Sequence, residues 1–261
     1  MRAKHLYSLL LVVAILFLQT GVVWPTTLVE DTREAMRLGK YDRALKLLEA
    51  ALDHNPVDTN AHLLMTEYYL AIQDFRSAEL STERTLVLNR SYAPLVAQAY
   101  YVAGERATNR NQPAQALALY ETAIALDPAF RSRVKGKYVA IANDLLAQQR
   151  LNAALSAYAQ EVGLDPSAKK SVADAAFAHG QSLLGNNDQA AEKLFSYAVS
   201  LDSSYGPKAA RVKSDYGLDL LRRALAATGE ERQKLKEQSL HYVSKEIADQ
   251  AVPSPEGDDR K

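Results

Sequence analysis

The side chains in this chain that could do chemistry are scattered rather than paired. Five histidines, His5, His54, His62, His179 and His241, show no H-E-x-x-H spacing, and there is no cysteine to complete a Cys–His metal set. His179 falls on a helix-packing position and His54 at a helix end, where a proton would complement the dipole, so both read as structural. The glycines stand at expected turns and helix ends without a G-x-G-x-x-G or G-K-[ST] loop, so no anion cradle for a nucleotide is expected. Ser, His and Asp all occur, but a nucleophile elbow needs a strand running into a helix, and no strand pattern is present. No catalytic residue, no metal and no cofactor is expected; the chemistry that remains is recognition by a surface. Asn89-Arg90-Ser91 matches the N-glycosylation acceptor pattern at a turn, which matters only in a eukaryotic lumen.

Charge does not choose a partner class. Lys plus Arg is 31 and Asp plus Glu is 31, so no overall field draws the chain onto nucleic acid or an anionic surface. With 261 residues, 48% hydrophobic and 24% charged, the chain can bury a continuous core in one soluble body. The lack of cysteine excludes disulfides, thiolate metal sites and cysteine lipidation without fixing the compartment.

The amino end must hold that body in place. Arg2 and Lys4 precede an apolar run from Leu6 to Trp24, with Leu11 and Ile15 inside it, followed by Pro25 and Glu30-Asp31. At about 1.5 Å per residue the run reaches roughly 28 Å, close to the hydrocarbon thickness of a bilayer. Two readings stand. One is an uncleaved membrane anchor, with Tyr7 and Trp24 at the interfaces. The other is a cleaved signal peptide built on Leu6 to Leu18, which lacks an A-x-A-like cleavage site. Both put the bulk of the chain outside the cytoplasm: in a bacterium the periplasm or the cell exterior, in a eukaryote a lumen or, by another insertion route, an organelle surface.

After Pro25 the chain repeats. Ala44, Ala78, Ala116, Ala154 and Ala191 are spaced by 34, 38, 38 and 37 residues, the period of a helical solenoid. Four residues on stand Leu48, Thr82, Tyr120, Tyr158 and Phe195, and eight on stand Leu52, Leu86, Ile124, Val162 and Val199, all on one helix face. Helix stops follow at Asn55-Pro56, Asn89-Arg90, Asp127-Pro128, Asp165-Pro166 and Asp202-Ser203. Twelve residues before each alanine lies Thr32, Thr66, Gly104, Ala142 or His179; four are small enough to let two helices approach closely, and His179 breaks the pattern. The three or four residues beyond a period of 34 amount to about one turn, which predicts longer first helices.

This pattern resembles the tetratricopeptide repeat (TPR) family, with a small residue in the first helix, an alanine and a large apolar residue in the second, and a closing proline. The resemblance covers roughly Thr26 to Tyr205, most clearly in Gly104, Ala116, Tyr120, Ala123 and Pro128, and in Gly39-Lys40-Tyr41, Ala44, Ala51 and Pro56. Thr82 and Thr85 depart from it, and Glu161 replaces the second alanine of the fourth unit. It implies an all-α, right-handed α-solenoid of about five hairpins in 26–205, after an N-terminal hydrophobic segment in 1–25. A capping pair in 206–251 would run from Gly206-Pro207 to about Thr228 and from Glu230 to about Gln250. Residues 252–261 read as a disordered tail.

The resemblance also implies a concave face that receives a protein or peptide. By the family register this face includes Arg33, Leu63, Glu67, Tyr101, Glu105, Val139, Asn143 and Ala176, of which Glu67, Tyr101, Glu105 and Asn143 are the candidate binding residues. So few cations predict no clamp for a terminal carboxylate. The expected function is a non-enzymatic adaptor, anchored through Leu6, Leu11, Ile15 and Trp24, that binds a partner in a cell-envelope complex. Two alternatives remain: a secreted assembly factor or chaperone that has lost its leader, and a module binding a glycan or small ligand between Tyr100 and Tyr138.

Overall fold

A computed structural model describes residues 25–244, with side chains from residue 28 onward. The apolar segment carrying Leu6, Leu11, Ile15 and Trp24, and the expected tail from residue 252, lie outside the described residues. Among those described, no helix is long and apolar enough to cross a membrane.

All regular structure among the described residues is helical, in two compact units, Met1–Arg131 and Ser132–Lys261. The first unit holds three antiparallel hairpins: α1 (Pro25–Arg37) with α2 (Tyr41–His54), α3 (Thr59–Ile72) with α4 (Phe75–Leu88), and α5 (Ala93–Asn109) with α6 (Pro113–Leu126). A single-turn α7 (Arg131–Val134) begins at the boundary. The second unit then pairs α8 (Lys137–Ala147) with α9 (Leu151–Leu164), α10 (Lys169–Leu183) with α11 (Asp188–Leu201), and α12 (Tyr205–Ala226) with α13 (Gly229–Ser239).

The five alanines that set the period are fully buried, each at 0% exposure, because only a methyl group fits where the two helices of a hairpin come closest. The residues four positions on, Leu48, Thr82, Tyr120, Tyr158 and Phe195, are buried beside them. The third buried row lies seven residues after the alanine, at Thr85, Ala123, Glu161 and Ala198, while the residues eight on are only half-buried. Thr82 and Thr85 fit because both hydroxyls donate, to the Tyr100 oxygen at 3.3 Å and the Ser81 carbonyl at 2.8 Å.

The stops work through Asn and Asp rather than through proline. Each of Asn55, Asn89, Asp127, Asp165 and Asp202 leaves the helix in extended geometry and accepts the N–H two residues on, at 2.9 to 3.3 Å. Two units that lack the proline therefore end as sharply as the three that keep it. Hydrogen bonds from Ser167 and Ser204 hold the Asp165 and Asp202 carboxyls below their usual range.

Two expectations need correction. In four hairpins the residue opening the second helix (Lys40, Asp74, Gln112, Arg150) donates its N–H to the carbonyl five residues back, whereas in the fifth Asn187 donates to the carbonyl four back. That turn is one residue shorter, so the close-packing position moves from His179 to Gly180, where an added Cβ would meet the Phe195 ring at 2.9 Å. In the capping pair, α13 ends at Ser239, and the turn that follows it belongs to the described residues, so the expected helix from Glu230 to about Gln250 is not continuous. Tyr242 and Val243 fold back against Gly217, where a Cβ would stand 2.8 Å from each.

The extra residues of the fourth unit form no longer helix. They build α7, and Gly136, at φ +84°, breaks the chain before α8. Its N–H donates to Glu161 Oε1 at 2.7 Å, so the carboxylate standing where the family has an alanine ties down the break. Lys135 pairs with Asp165 at 2.9 Å beside it. Gly136 is exposed with nothing within 4 Å of an added Cβ, so only its backbone resists substitution. Gly136→Ala is expected to cost about 1 kcal/mol through left-handed strain. Thermal denaturation giving an unchanged or higher midpoint would refute this.

Candidate functional site

The first helices of the three hairpins in the Met1–Arg131 unit line one cleft of about 280 Å³. From α1 come Arg33, Met36 and Arg37, from α3 Glu67, Leu70 and Ala71, and from α5 Gln98, Ala99, Val102 and Arg106, with Tyr41 closing one end. Residues four apart on each helix, such as Arg33 with Arg37 and Val102 with Arg106, share the face that points inward.

Three arginines and one carboxylate, Glu67, stand in this lining. Arg33 approaches Glu67 at 3.7 Å, a loose pair, and Arg37 is held from outside by Glu34 through two short bonds of 2.6 and 2.7 Å. Burial pushes the Glu67 carboxyl above its usual range, against the pull of Arg33 and Arg106. Glu67 is thus poorly compensated, and the arginines keep unused donors. A planar carboxylate entering the cleft would find matching forks, with Met36, Leu70 and Val102 available to the apolar part of the same ligand. The cleft thus holds more cations than the expected set: Arg37 stands one turn from Arg33 on α1, and Arg106 is added by α5, which packs against α3.

Of the four candidate binding residues, the structure places Glu67 in this cleft. Tyr101 packs its ring against Tyr120 and Phe130, both at 5.6 Å between centroids. Glu105 accepts a hydrogen bond from the Tyr120 hydroxyl. In the other unit, Asn143 accepts from the Tyr158 hydroxyl at 2.7 Å and lies 3.1 Å from His179 Nε2. Leu63 and Ala176, expected on the receiving face, are buried core residues at 3% and 0% exposure. Tyr100 and Tyr138 are also buried, at 7% and 1% exposure, each in its own unit.

One rule separates Glu67 from Glu105 and Asn143, which all follow the small packing residue directly. Where the second helix carries a tyrosine in its buried row, the hydroxyl must find an acceptor, and the first helix supplies it at this position. Tyr120 takes Glu105 and Tyr158 takes Asn143. The first two hairpins carry Leu48 and Thr82 instead, so Arg33 and Glu67 remain available to the cleft. The tyrosines are the signal in the sequence, since each brings a hydroxyl that needs a partner. Nothing in the sequence periodicity marks Gln98, Val102 and Arg106, which depend on how α5 turns towards α3.

Among solved structures, the chain is similar to MamA, at 19% identity and a TM-score of 0.36, over 70% of this chain and 93% of that one. It is also similar to YrrB, a TPR protein with an unusual peptide-binding site, at 18% identity and 0.34, over 67% and 85%. A third is PilW, a widely conserved type IV pilus biogenesis factor, at 19% and 0.33, over 80% and 97%. No curated protein sequence matches the chain. The tetratricopeptide repeat family model matches residues 35–100, from the end of α1 through α2, α3 and α4 to nearly the middle of α5. That match, together with five hairpins that bury the same alanine row, supports the tetratricopeptide repeat family.

Proposed function

We propose that the chain is a non-enzymatic scaffold that takes a protein or peptide partner into the cleft between α1, α3 and α5. The observation that carries this reading is a cleft lined by three arginines and a single half-buried carboxylate, beside apolar side chains. The partner that fits is an extended segment presenting a carboxylate beside an apolar residue. Leu6 to Trp24 would hold the scaffold at a membrane, with the hairpins outside the cytoplasm in a cell-envelope complex. Glu67 belongs to this surface directly; Tyr101 and Glu105 would act by fixing α5, which helps shape it, while Asn143 serves the packing of the other unit.

A photo-crosslinking amino acid in place of Val102 is expected to yield an adduct of discrete mass in cells. Combining it with Arg33→Glu and Arg106→Glu should lower the yield about tenfold or more, since charge-assisted bonds to carboxylates contribute about 1.5–3 kcal/mol each. An adduct that forms equally well without the arginines would sink the reading. Intact-mass measurement of the mature protein separates the anchored form from the leaderless one.

A further inference from the structure

The second helices of the same unit carry a surface that the cleft does not use. On α4, Leu80 and Val87 are 60% and 72% exposed, the two most open large apolar side chains among the described residues. They stand seven residues apart on one helix face, with Arg84 between them. Beside them a groove runs between α4 and α6. It opens from a hollow of about 330 Å³ at Phe75 and Leu119 to one of about 770 Å³ at Leu86 and Leu126. On its α6 side the exposed residues are small: Ala118 and Ala125, again seven apart, with Glu121 between them.

We propose that this groove receives α4 of a second copy of the chain, in an antiparallel twofold pair. In antiparallel helices, the register that sets Leu80 opposite Ala125 also sets Arg84 opposite Glu121 and Val87 opposite Ala118. Knobs meet small residues and the intervening charges have opposite sign, so shape and charge select the same register. Neither Arg84 nor Glu121 has an ion-pair partner among the described residues. Just past the end of α4 the same line leads from Arg90 to Gln115, whose buried Oε1 has no hydrogen-bond partner among the described residues. Knobs and holes lie on one chain, so a twofold axis makes every contact twice and closes the assembly at two copies. An unrelated helix would match the groove without needing the knobs beside it.

The test is sedimentation equilibrium of the full chain in a detergent that keeps Leu6 to Trp24 dissolved, with circular dichroism confirming that each variant is folded. The wild type is expected to show a reversible monomer–dimer equilibrium. Arg84→Glu and Glu121→Arg alone should each weaken it about tenfold or more, and the double exchange should return it to within about threefold of wild type. Because the chain has no cysteine, Arg84→Cys and Glu121→Cys place single thiols. Mixing the two is expected to give a disulfide-linked heterodimer in preference to either self-pair. A wild type that stays monomeric, a groove filled instead by a helix of another protein, or a dimer indifferent to both charge reversals would each overturn the proposal.

Discussion

Gly104→Val is expected to lower stability by about 3 kcal/mol or more, the largest effect of any glycine substitution in the Met1–Arg131 unit. A Cβ built on Gly104 would lie 2.7 and 2.8 Å from two carbons of the Tyr120 ring, closer than such atoms approach without something moving. The ring cannot yield cheaply. Tyr120 is 0% exposed, its face is covered by Tyr101, and its hydroxyl is fastened to Glu105. Two opposing terms decide the sign. Glycine inside a helix costs about 1 kcal/mol relative to alanine, which favours substitution, while overpacking a filled core costs about 1–3 kcal/mol. For Gly104→Ala the overpacking outweighs the propensity gain, giving a net loss of about 1 kcal/mol. Valine adds two methyl groups to the clash and gives up helix propensity, so the loss grows. Gly163 in α9 supplies the control, since nothing lies within 4 Å of its Cβ position. Gly163→Ala should raise stability by about 0.5 kcal/mol or more. Chemical denaturation of the variants decides the matter, and a Gly104→Val protein as stable as wild type would show that the hairpin does not need the close approach.

Gly104 is legible in the sequence, as are the alanine row and the Asn and Asp stops, because each reflects local chemistry repeated at a fixed interval. Gly180 is not, because a ruler counted from Ala191 cannot register that one residue is missing from the turn between α10 and α11. Counting points to His179, while the glycine that packs on Phe195 is its neighbour. The break at Gly136 is hidden for a related reason: three or four extra residues suit a longer helix as well as an interrupted one. Only the bond from Gly136 to Glu161, 25 positions away, distinguishes the two.

The candidate site is legible in part. Glu67 and Arg33 follow directly from the repeat register, and both line the cleft. Tyr101, Glu105 and Asn143 come from the same register, yet their partners are Tyr120, Phe130 and Tyr158. A register says which face a residue occupies; it does not say whether a buried hydroxyl from the next helix has already claimed it. Arg37 shares the face of Arg33 one turn on, but Arg106, 69 residues further along the chain, joins them only through the packing of α5 against α3.

Those claimed hydroxyls lead to the second large effect, cooperative unfolding of the protein in alkali. Burial, and then donation to Glu105, push the Tyr120 phenol well above its ordinary value; burial, and then the neighbouring Tyr197, do the same to Tyr158. Tyr205, whose hydroxyl donates to Asp174, is pushed up to about 12. In the unfolded chain each returns to about 10. Because the folded values are raised, the stabilisation is fully present below pH ~10 and is lost as pH rises through the folded values; the unfolded state sheds its protons first. Each unit of difference withdraws about 1.4 kcal/mol, so a few buried tyrosines together can exhaust the stability of a domain. Tyrosinate absorbance and helical circular dichroism should therefore change together, in one steep transition above pH ~10. Tyr120→Phe should cost about 1 kcal/mol at neutral pH, from the lost bond to Glu105, and yet move the alkaline midpoint upward because one titrating group is gone. Smooth ionisation of all tyrosines near pH ~10 with the helical signal intact would mean that these hydroxyls are open to water and do not hold Glu105 and Asn143 in place.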